Sequence, residues 1–484
     1  MEKSKLIKLA IALGIPMIIA LMPATVFPFD ISVVEQRIVA IFAFAALMWI
    51  LEPIPIWTTS VSIIVLMLLT TSTSMFKPLC YVLTPDGKIP TEVDPAFGKI
   101  IPYKDIMATF ADPIIMLFMG GFVLAIIASK YKLDAGIAKA ILKPFGTKSP
   151  MVLLGFIVVT AICSMFMSNT ATAAMMLTIL SPVLATLPTS GKGRIALALS
   201  IPVAANVGGI GTPIGTPPNA VAMKFLNDPE GLNLQISFGE WMLYMVPLAL
   251  IILFIAWIIL QKMFPFTQKT IEIHIEDGFQ LKDTKSWIVL ITFIVTILLW
   301  VTEKLTGINS NVVALIPLGV FAVTGIFSKD DLKKIDWDVL WLVAGGFAIG
   351  VGLEKTGLAE HLVHAIPFGS WPTMLIIIGS GLLCCVMSTF MSNSATAALL
   401  IPILLAVGKS IMPQLEPYGG ISTLLIGLAL SASFAMALPI STPPNALAYA
   451  KGFIKQKDMA LVGIVVGVIA IALAYVELIL FKGL

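Results

Sequence analysis

The sequence predicts an all-α polytopic membrane protein, with about eleven transmembrane helices and two re-entrant helical hairpins arranged as inverted repeats. Three observations carry this. Of 484 residues, 58% are hydrophobic and 12% charged, at a mean hydropathy of +1.01, whereas soluble domains carry about 25% charge. Apolar runs long enough to cross about 30 Å of hydrocarbon recur along the whole chain, not only at its start, which argues against a cleaved signal peptide. Three motifs also recur in the same order, GGF at Gly120 and Gly345, MSN at Met167 and Met391, and TPPN at Thr216 and Thr442. Each pair is spaced by about 225 residues, the mark of an internal duplication.

In order, spans are expected at 5–25, 36–52, 56–72 and 112–130, followed by an amphipathic arm at 131–147 and a long apolar segment at 149–188. A span at 194–227, interrupted by glycine and proline, and one at 241–262 complete the first half. The second half repeats the plan, with spans at 286–302, 311–327 and 337–355, an arm at 357–370, a long segment at 371–408, an interrupted span at 421–450 and a last span at 459–481. The arms carry Lys132, Asp134, Lys139 and Lys143, or Glu360, His361 and His364, and suit helices lying in the interface. The two long segments exceed one crossing and hold polar tips at their middle, FMSNTATAAMM from Phe166 and FMSNSATAALL from Phe390.

Charge decides how the first long segment runs. Lys148 precedes it and Lys192 and Arg194 follow it, so both flanks read as cytoplasmic and the segment reads as a hairpin. Threading the chain this way puts the N-terminus inside, the C-terminus outside and 20 of 30 basic residues on the inner side, as in a plasma (inner) membrane of bacterial type. The ten on the outside are Arg37, Lys77, Lys88, Lys99, Lys104, Lys224, Lys304, Lys355, Lys409 and Lys482, four of them in the long loop 73–105. Five crossings separate the hairpins, so the second enters from the opposite face and the halves are inverted. That architecture places a ligand site near the bilayer midplane.

Several function classes drop out. The net charge of +3 is too small to argue for nucleic acid. Cys80, Cys163, Cys384 and Cys385 assemble neither a disulfide framework nor a metal motif. No Walker A loop, HExxH helix or GxSxG elbow is present, so ATP-driven or hydrolytic chemistry has no machinery and the chain does not read as an enzyme. Asp112, Asp336, Asp338, Glu354 and Glu477 fall near span ends, where capping or solvation explains them. His361 and His364 lack metal-ligand company, and the GG pairs read as close helix contacts.

What remains is a polar site inside the membrane. Pro217-Pro218 and Pro443-Pro444 lack amide hydrogens and should each split a helix in two. The unwound backbone must then be buried in protein or line a polar cavity. Helix ends favour anions, hydroxyls and asparagine amides donate to carboxylate oxygens, and unwound carbonyls suit sodium. No Lys or Arg lies in either hairpin or at either TPPN break, so charge compensation must come from co-bound cations, helix ends or a mobile group.

With SNT at Ser168–Thr170, SNS at Ser392–Ser394 and two TPPN motifs in inverted repeats, the sequence resembles the divalent anion:sodium symporter family, which includes the INDY-type di- and tricarboxylate transporters. The likeness covers essentially the whole chain. It implies a lipid-embedded homodimer in which a transport domain (148–265 and 371–484) slides against a dimerising scaffold (1–147 and 266–370) as an elevator. The implied substrate is a C4–C6 di- or tricarboxylate such as succinate, malate, fumarate, 2-oxoglutarate or citrate, coupled to sodium symport or to carboxylate exchange. A passive anion channel and a carrier of an inorganic dianion such as sulfate are the alternatives. In that family the tips bind substrate carboxylates, matching Ser168, Asn169, Thr170, Ser392, Asn393 and Ser394, with Thr216, Thr442 and Pro443 completing the pocket. One sodium site would match Ser164, Asn169 and Gly215, and its mate Ser388, Asn393 and Ser441; no other cofactor is implied. Ser394 departs from the family's usual threonine, keeping the hydroxyl and losing a methyl, which bears on pocket size.

Overall fold

The computed structural model describes residues 3–27, 30–80, 97–188, 191–271, 281, 283–359, 361 and 368–483. It is all-α. The first long helices are α1 (Lys3–Leu21), α2 (Val33–Leu51), α3 (Ile56–Thr70) and α4 (Pro113–Lys130). The short arm α5 (Leu133–Leu142) leads into a hairpin of α6 (Ser149–Phe166) and α7 (Asn169–Thr186). The interrupted span is two half-helices, α8 (Gly193–Gly209) and α9 (Pro217–Leu226), followed by α10 (Phe238–Met263).

The second half repeats this order. α11 (Thr284–Val301), α12 (Ser310–Val323) and α13 (Trp337–Thr356) precede a hairpin of α14 (Thr373–Phe390) and α15 (Asn393–Ser410). The half-helices α16 (Gly420–Ser433) and α17 (Pro443–Ala450) and the long α18 (Gln456–Leu480) close the chain. Each expected span is matched by a helix, or by two half-helices, within a few residues. The second expected arm, 357–370, falls largely outside the described residues, Glu360 and His364 included.

Local chemistry explains the boundaries. Ser32 and Glu35 form a capping box at the start of α2, and Ser237 and Glu240 form another at α10, each satisfying orphan amides reciprocally. Asp112 caps α4 by accepting from the Ile114 amide at 2.9 Å, ahead of Pro113 at the first helical position. The TPPN prolines do not kink a continuous helix. They open α9 and α17 at the first two positions, where no amide hydrogen is needed, behind Thr216 and Thr442 at the cap positions.

Packing confirms the glycine reading. A Cβ on Gly120 would lie 2.7 Å from Ala314 Cβ and closer still to its backbone, so α4 and the start of α12 touch backbone to backbone. A Cβ on Gly345 would meet Ser60 Cβ at 2.5 Å, joining α13 to α3 in the same way. These first glycines join the two halves, whereas the second glycine of each pair faces a later segment of its own half, Gly121 against Ile214 and Gly346 against Ala398.

The hairpins are re-entrant. Each leg of 18 residues reaches about 27 Å at 1.5 Å per residue. α6 packs along α8, and beyond the tip at Met167–Ser168 the interrupted span continues through the ten residues of α9, roughly 15 Å more. The tip therefore stops short of the far face. The halves interlock crosswise, with α9 on α15 and α16, and α17 on α7 and α8.

Candidate functional site

Both hairpin tips and both breaks border one cavity of about 1220 Å³. Its lining includes Ser168, Asn169, Thr170, Gly215, Thr216, Ser392, Asn393, Ser394, Ser441, Thr442 and Pro443. Residues more than 220 positions apart in sequence thus meet as the repeat predicts. Ser164 and Ser388, fully buried, stand directly behind the lining and hold the two tip asparagines.

Four helices begin at the cavity: α7, α9, α15 and α17. Their positive dipole ends converge on one volume and favour an anion there. The two kinds of end contribute differently. Pro217-Pro218 and Pro443-Pro444 have no amide hydrogens, so the breaks supply mainly field, whereas the tips supply free amides and the side chains of the S-N-T and S-N-S runs. Ser168 caps its own helix, accepting from the Ala171 amide at 3.2 Å, while Ser392 makes no such side-chain cap.

Behind the first tip lies an oxygen-rich cradle. Ser164 Oγ donates to the Ala205 carbonyl at 2.8 Å and lies 2.5 Å from the Asn169 side chain. With the Asn169 amide nitrogen turned inward, it donates to the carbonyls of Ala205 and Gly215, both at 3.1 Å, and to Ser164 Oγ at 2.5 Å. The opposite orientation turns the Asn169 oxygen toward the Ala205 and Gly215 carbonyls with only the Ser164 hydroxyl to donate, an arrangement that a cation among these oxygens would stabilise. Oxygen donors alone suit a hard monovalent cation such as sodium, so the residues fit one. Glycines keep the cradle open, since a Cβ on Gly209 would fall 2.6 Å from Asn169 Oδ1 and one on Gly215 would fall against the Gly209 backbone.

The second half is built alike but not identically. Ser388 Oγ lies 2.7 Å from Asn393 Oδ1 and donates to the Ala432 carbonyl at 3.0 Å, mirroring Ser164. In the first half the Thr212 hydroxyl ties the break to the hairpin by donating to the Met165 carbonyl. In the second, Ser441 does this, its hydroxyl donating to the Thr389 carbonyl at 2.8 Å.

Sequence reasoning missed the asparagines of TPPN. Asn219 Nδ2 donates to the carbonyls of Gly209, Ile210 and Thr212 at 3.2, 3.3 and 2.8 Å. Asn445 Nδ2 does the same for Met436 and Leu438 at 2.8 and 3.0 Å. Each motif thus satisfies the carbonyls that its own break exposes. Asn206 joins the repeats, donating to Thr442 Oγ1 at 3.2 Å and Asn445 Oδ1 at 3.3 Å. The Ala205 carbonyl was also missed, because a backbone ligand leaves no side-chain signature.

Charge enters at the cavity mouth, not at its floor. Lys130, Lys334, Asp336, Asp338 and Glu52 line it together with Trp57. Lys130 Nζ donates to the Ile326 carbonyl at 2.8 Å and to Asp331 at 2.5 Å. Burial alone would raise the Asp331 carboxyl, but hydrogen bonds from Lys130, Ser328 and Lys334 outweigh it and hold the group well below the usual carboxylate range. Asp336 is shifted the other way, by burial first and then by the neighbouring Asp338 charge. The hairpin tips and breaks hold no Lys or Arg, as expected; Lys409 lies at the far end of α15. The mouth does, and that could not be foreseen from local sequence.

A profile described as the sodium:sulfate symporter transmembrane region matches residues 3–481. Among curated proteins, the sodium-dependent dicarboxylate transporter SdcS of Staphylococcus saprophyticus is 29% identical over 473 residues, covering 90% of this chain and 83% of that protein. SdcS of Staphylococcus aureus strain USA300 is 29% identical over 481 residues, covering 92% and 85%. A Haemophilus influenzae protein known as an uncharacterized transporter is 30% identical over 454 residues, covering 89% and 88%. Among solved structures, the YdaH transporter of Alcanivorax borkumensis shares the fold at TM-score 0.54 and 13% identity, over 78% of this chain and 87% of that one.

Proposed function

The chain belongs to the sodium:sulfate symporter family, also known as the divalent anion:sodium symporters, and is a multi-pass membrane transporter rather than an enzyme; from that premise we propose that it carries small dicarboxylates, coupled to sodium. The observation that carries this reading is the joint geometry of tips and breaks. Four helix N-termini and uncharged donors face one cavity, while an all-oxygen cradle lies directly behind Asn169. An anion held without a fixed cationic partner gains its compensation from sodium bound next to it, and Asn169 serves both. The SdcS relatives are named for sodium-dependent dicarboxylate transport, which favours a C4 carboxylate over sulfate.

Ser168, Asn169 and Thr170 would hold one carboxylate and Ser392, Asn393 and Ser394 the other, with Thr216, Thr442 and Pro443 closing the sides. Ser164, Asn169, Gly215 and the Ala205 carbonyl would hold one sodium ion, and Ser388, Asn393 and Ser441 a second. The two bodies, 148–265 with 371–484 and 1–147 with 266–370, would slide as an elevator within a homodimer in the plasma membrane. The mouth lies at the end marked by Lys130 and Asp336, which the charge threading makes cytoplasmic, so this is the inward-open arrangement. No lining residue belongs to the opposite rim at Asp112 and Lys355, which speaks against a passive channel.

Sodium-independent exchange is the second reading. It is favoured by the alternative Asn169 orientation, in which the amide nitrogen fills the cradle unaided. Uptake of labelled succinate, citrate and sulfate into proteoliposomes, with and without sodium and with and without internal carboxylate, separates the readings. Succinate uptake into empty vesicles that needs sodium supports symport. Uptake that needs internal carboxylate and ignores sodium replaces it with exchange.

A further inference from the structure

α4 and α13 run antiparallel, so Asp112 at the start of α4 and Glu354-Lys355 at the end of α13 mark one rim of the molecule, and Lys130 and Asp336 mark the other, at the cavity mouth. Ion pairs distribute unequally between these rims. At the rim away from the mouth, Lys224 Nζ lies 2.9 Å from Asp112, Lys355 Nζ 2.8 Å from Glu230 and Lys409 Nζ 3.3 Å from Glu354, while Lys304 contacts Glu240. In each pair one partner belongs to the proposed scaffold and the other to the proposed transport domain. At the mouth, the pairs of Lys130, Lys333 and Lys334 with Asp330 and Asp331 stay inside the scaffold.

Sliding one rigid body past another preserves pairs within each body and breaks pairs between them. Leaving the present arrangement therefore costs the four pairs at the far rim, whereas the pairs of Lys130, Lys333 and Lys334 travel within one body. The charge threading supplies a second, independent observation. Lys224, Lys304, Lys355 and Lys409 are four of the ten basic residues that it leaves on the outer face, against the positive-inside bias. Each of the four has a carboxylate partner across the moving boundary.

We infer that these four pairs form an ionic latch on the outer rim, which biases the transporter toward the inward-open arrangement and releases as the site moves outward. The inference rests on the two-body reading above. Most of the pairs are exposed, Lys304 at 62% and Glu230 at 77%, so each is weak alone and screened by salt. Asp112 with Lys224 is the most sheltered, at 9% and 25%. Such a set gives a bias and not a lock, as a carrier that must turn over requires.

The test uses the full-length protein in proteoliposomes with Ile440→Cys as a reporter in a Cys385→Ala background, because Ile440 is 72% exposed at the cavity. A membrane-impermeant maleimide is applied from each face in turn. The parent should label mainly from the Lys130 face. Replacing Lys224, Lys304, Lys355 and Lys409 with Met should move the ratio of inner to outer labelling about tenfold toward the outer face, and high salt should move the parent the same way. Lys355→Glu alone should shift the ratio, and adding Glu230→Lys should restore it. An unchanged ratio in the fourfold variant, with elution and succinate binding like the parent, overturns the latch and leaves the transport reading standing. Equal labelling of the parent from both faces overturns the two-body reading and the latch with it. Loss of succinate binding by the parent itself removes the substrate assignment alone.

Discussion

Gly209→Ala should weaken sodium coupling more than it weakens substrate binding. Gly209 ends α8, is not part of the cavity lining, and approaches the tip so closely that a Cβ there would sit 2.6 Å from Asn169 Oδ1, 3.0 Å from Nδ2 and 3.1 Å from the Gly215 carbonyl. No real Cβ tolerates the first of these distances, so Asn169 or the break must shift by several tenths of an ångström. Overpacking of this kind costs about 1–3 kcal/mol, and alanine returns roughly 0.5–1 kcal/mol through its better helix propensity. Taken at mid-range the difference is a little over 1 kcal/mol, falls on the arrangement in which Asn169 Oδ1 sits among the Ser164, Ala205 and Gly215 oxygens, and corresponds to a loss of roughly 8-fold in sodium affinity. The assay is succinate uptake as a function of sodium concentration in proteoliposomes, with thermal unfolding of the purified protein as a control for folding. Half-saturating sodium should rise by that factor, while the succinate KM at saturating sodium changes less than about threefold. A folded variant with unchanged sodium dependence would refute the cradle as a cation site.

Asn169→Ala and Asn393→Ala should each abolish uptake while leaving the protein folded, since each removes an amide proposed to serve substrate and cation; near-normal uptake by both would remove the proposed site. Asn219→Ala strands the carbonyls of Gly209, Ile210 and Thr212 inside the protein and should cost about 2 kcal/mol or more of stability, read as a lowered Tm. Gly345→Val places branched carbons where even a Cβ would be 2.5 Å from Ser60 Cβ, so folded yield should collapse; Gly319→Val, with no atom within 4 Å of its Cβ position, should be tolerated. Asp331 has a depressed carboxyl in the folded protein, so its stabilisation is complete above the unfolded value near 4 and is lost as pH falls below it. The Tm difference between parent and Asp331→Asn should therefore stay level from pH 7 to about 5 and shrink below about 4.

The fold was legible because its signals are local and redundant. Hydropathy marks the spans, Lys148 with Lys192 and Arg194 marks the first hairpin, and the spacing of GGF, MSN and TPPN marks the inversion. The site was legible as far as side chains announce it, so the tips and breaks were found by polarity in apolar context. Ser164 and Ser388 entered only through family resemblance, because a serine in a helix is unremarkable until its hydroxyl is seen gripping an asparagine five residues on. Asn219 and Asn445 were missed because an asparagine at a break can serve as ligand or as brace, and only the direction of their amides decides for braces. The outer ion pairs were invisible for another reason. Glu230 and Lys355 are 125 residues apart, and charge at a span end says nothing about which other span end it will meet.

The repeats are related in plan and differ in the chemistry of their breaks, and that difference orders the two proposed cation sites. Gly215 and Ser441 occupy equivalent places ahead of their TPPN threonines. At Gly215 the missing side chain lets the break fold back on Gly209, so its carbonyl comes within 3.1 Å of the Asn169 side chain. Thr212, three residues earlier, ties that break to its hairpin. At Ser441 one residue's hydroxyl must do the tying, since the place of Thr212 is taken by Leu438, whose amide instead donates to Ser441 Oγ at 3.1 Å. The hydroxyl that would face a second ion is thus engaged with the Thr389 carbonyl and the Leu438 amide. A second sodium would have to bind through the Ser441 backbone carbonyl or displace those hydrogen bonds. Ser441→Ala therefore discriminates: backbone ligation predicts weakened anchoring of the tip with sodium cooperativity retained, whereas hydroxyl ligation predicts that cooperativity falls to a Hill coefficient near 1.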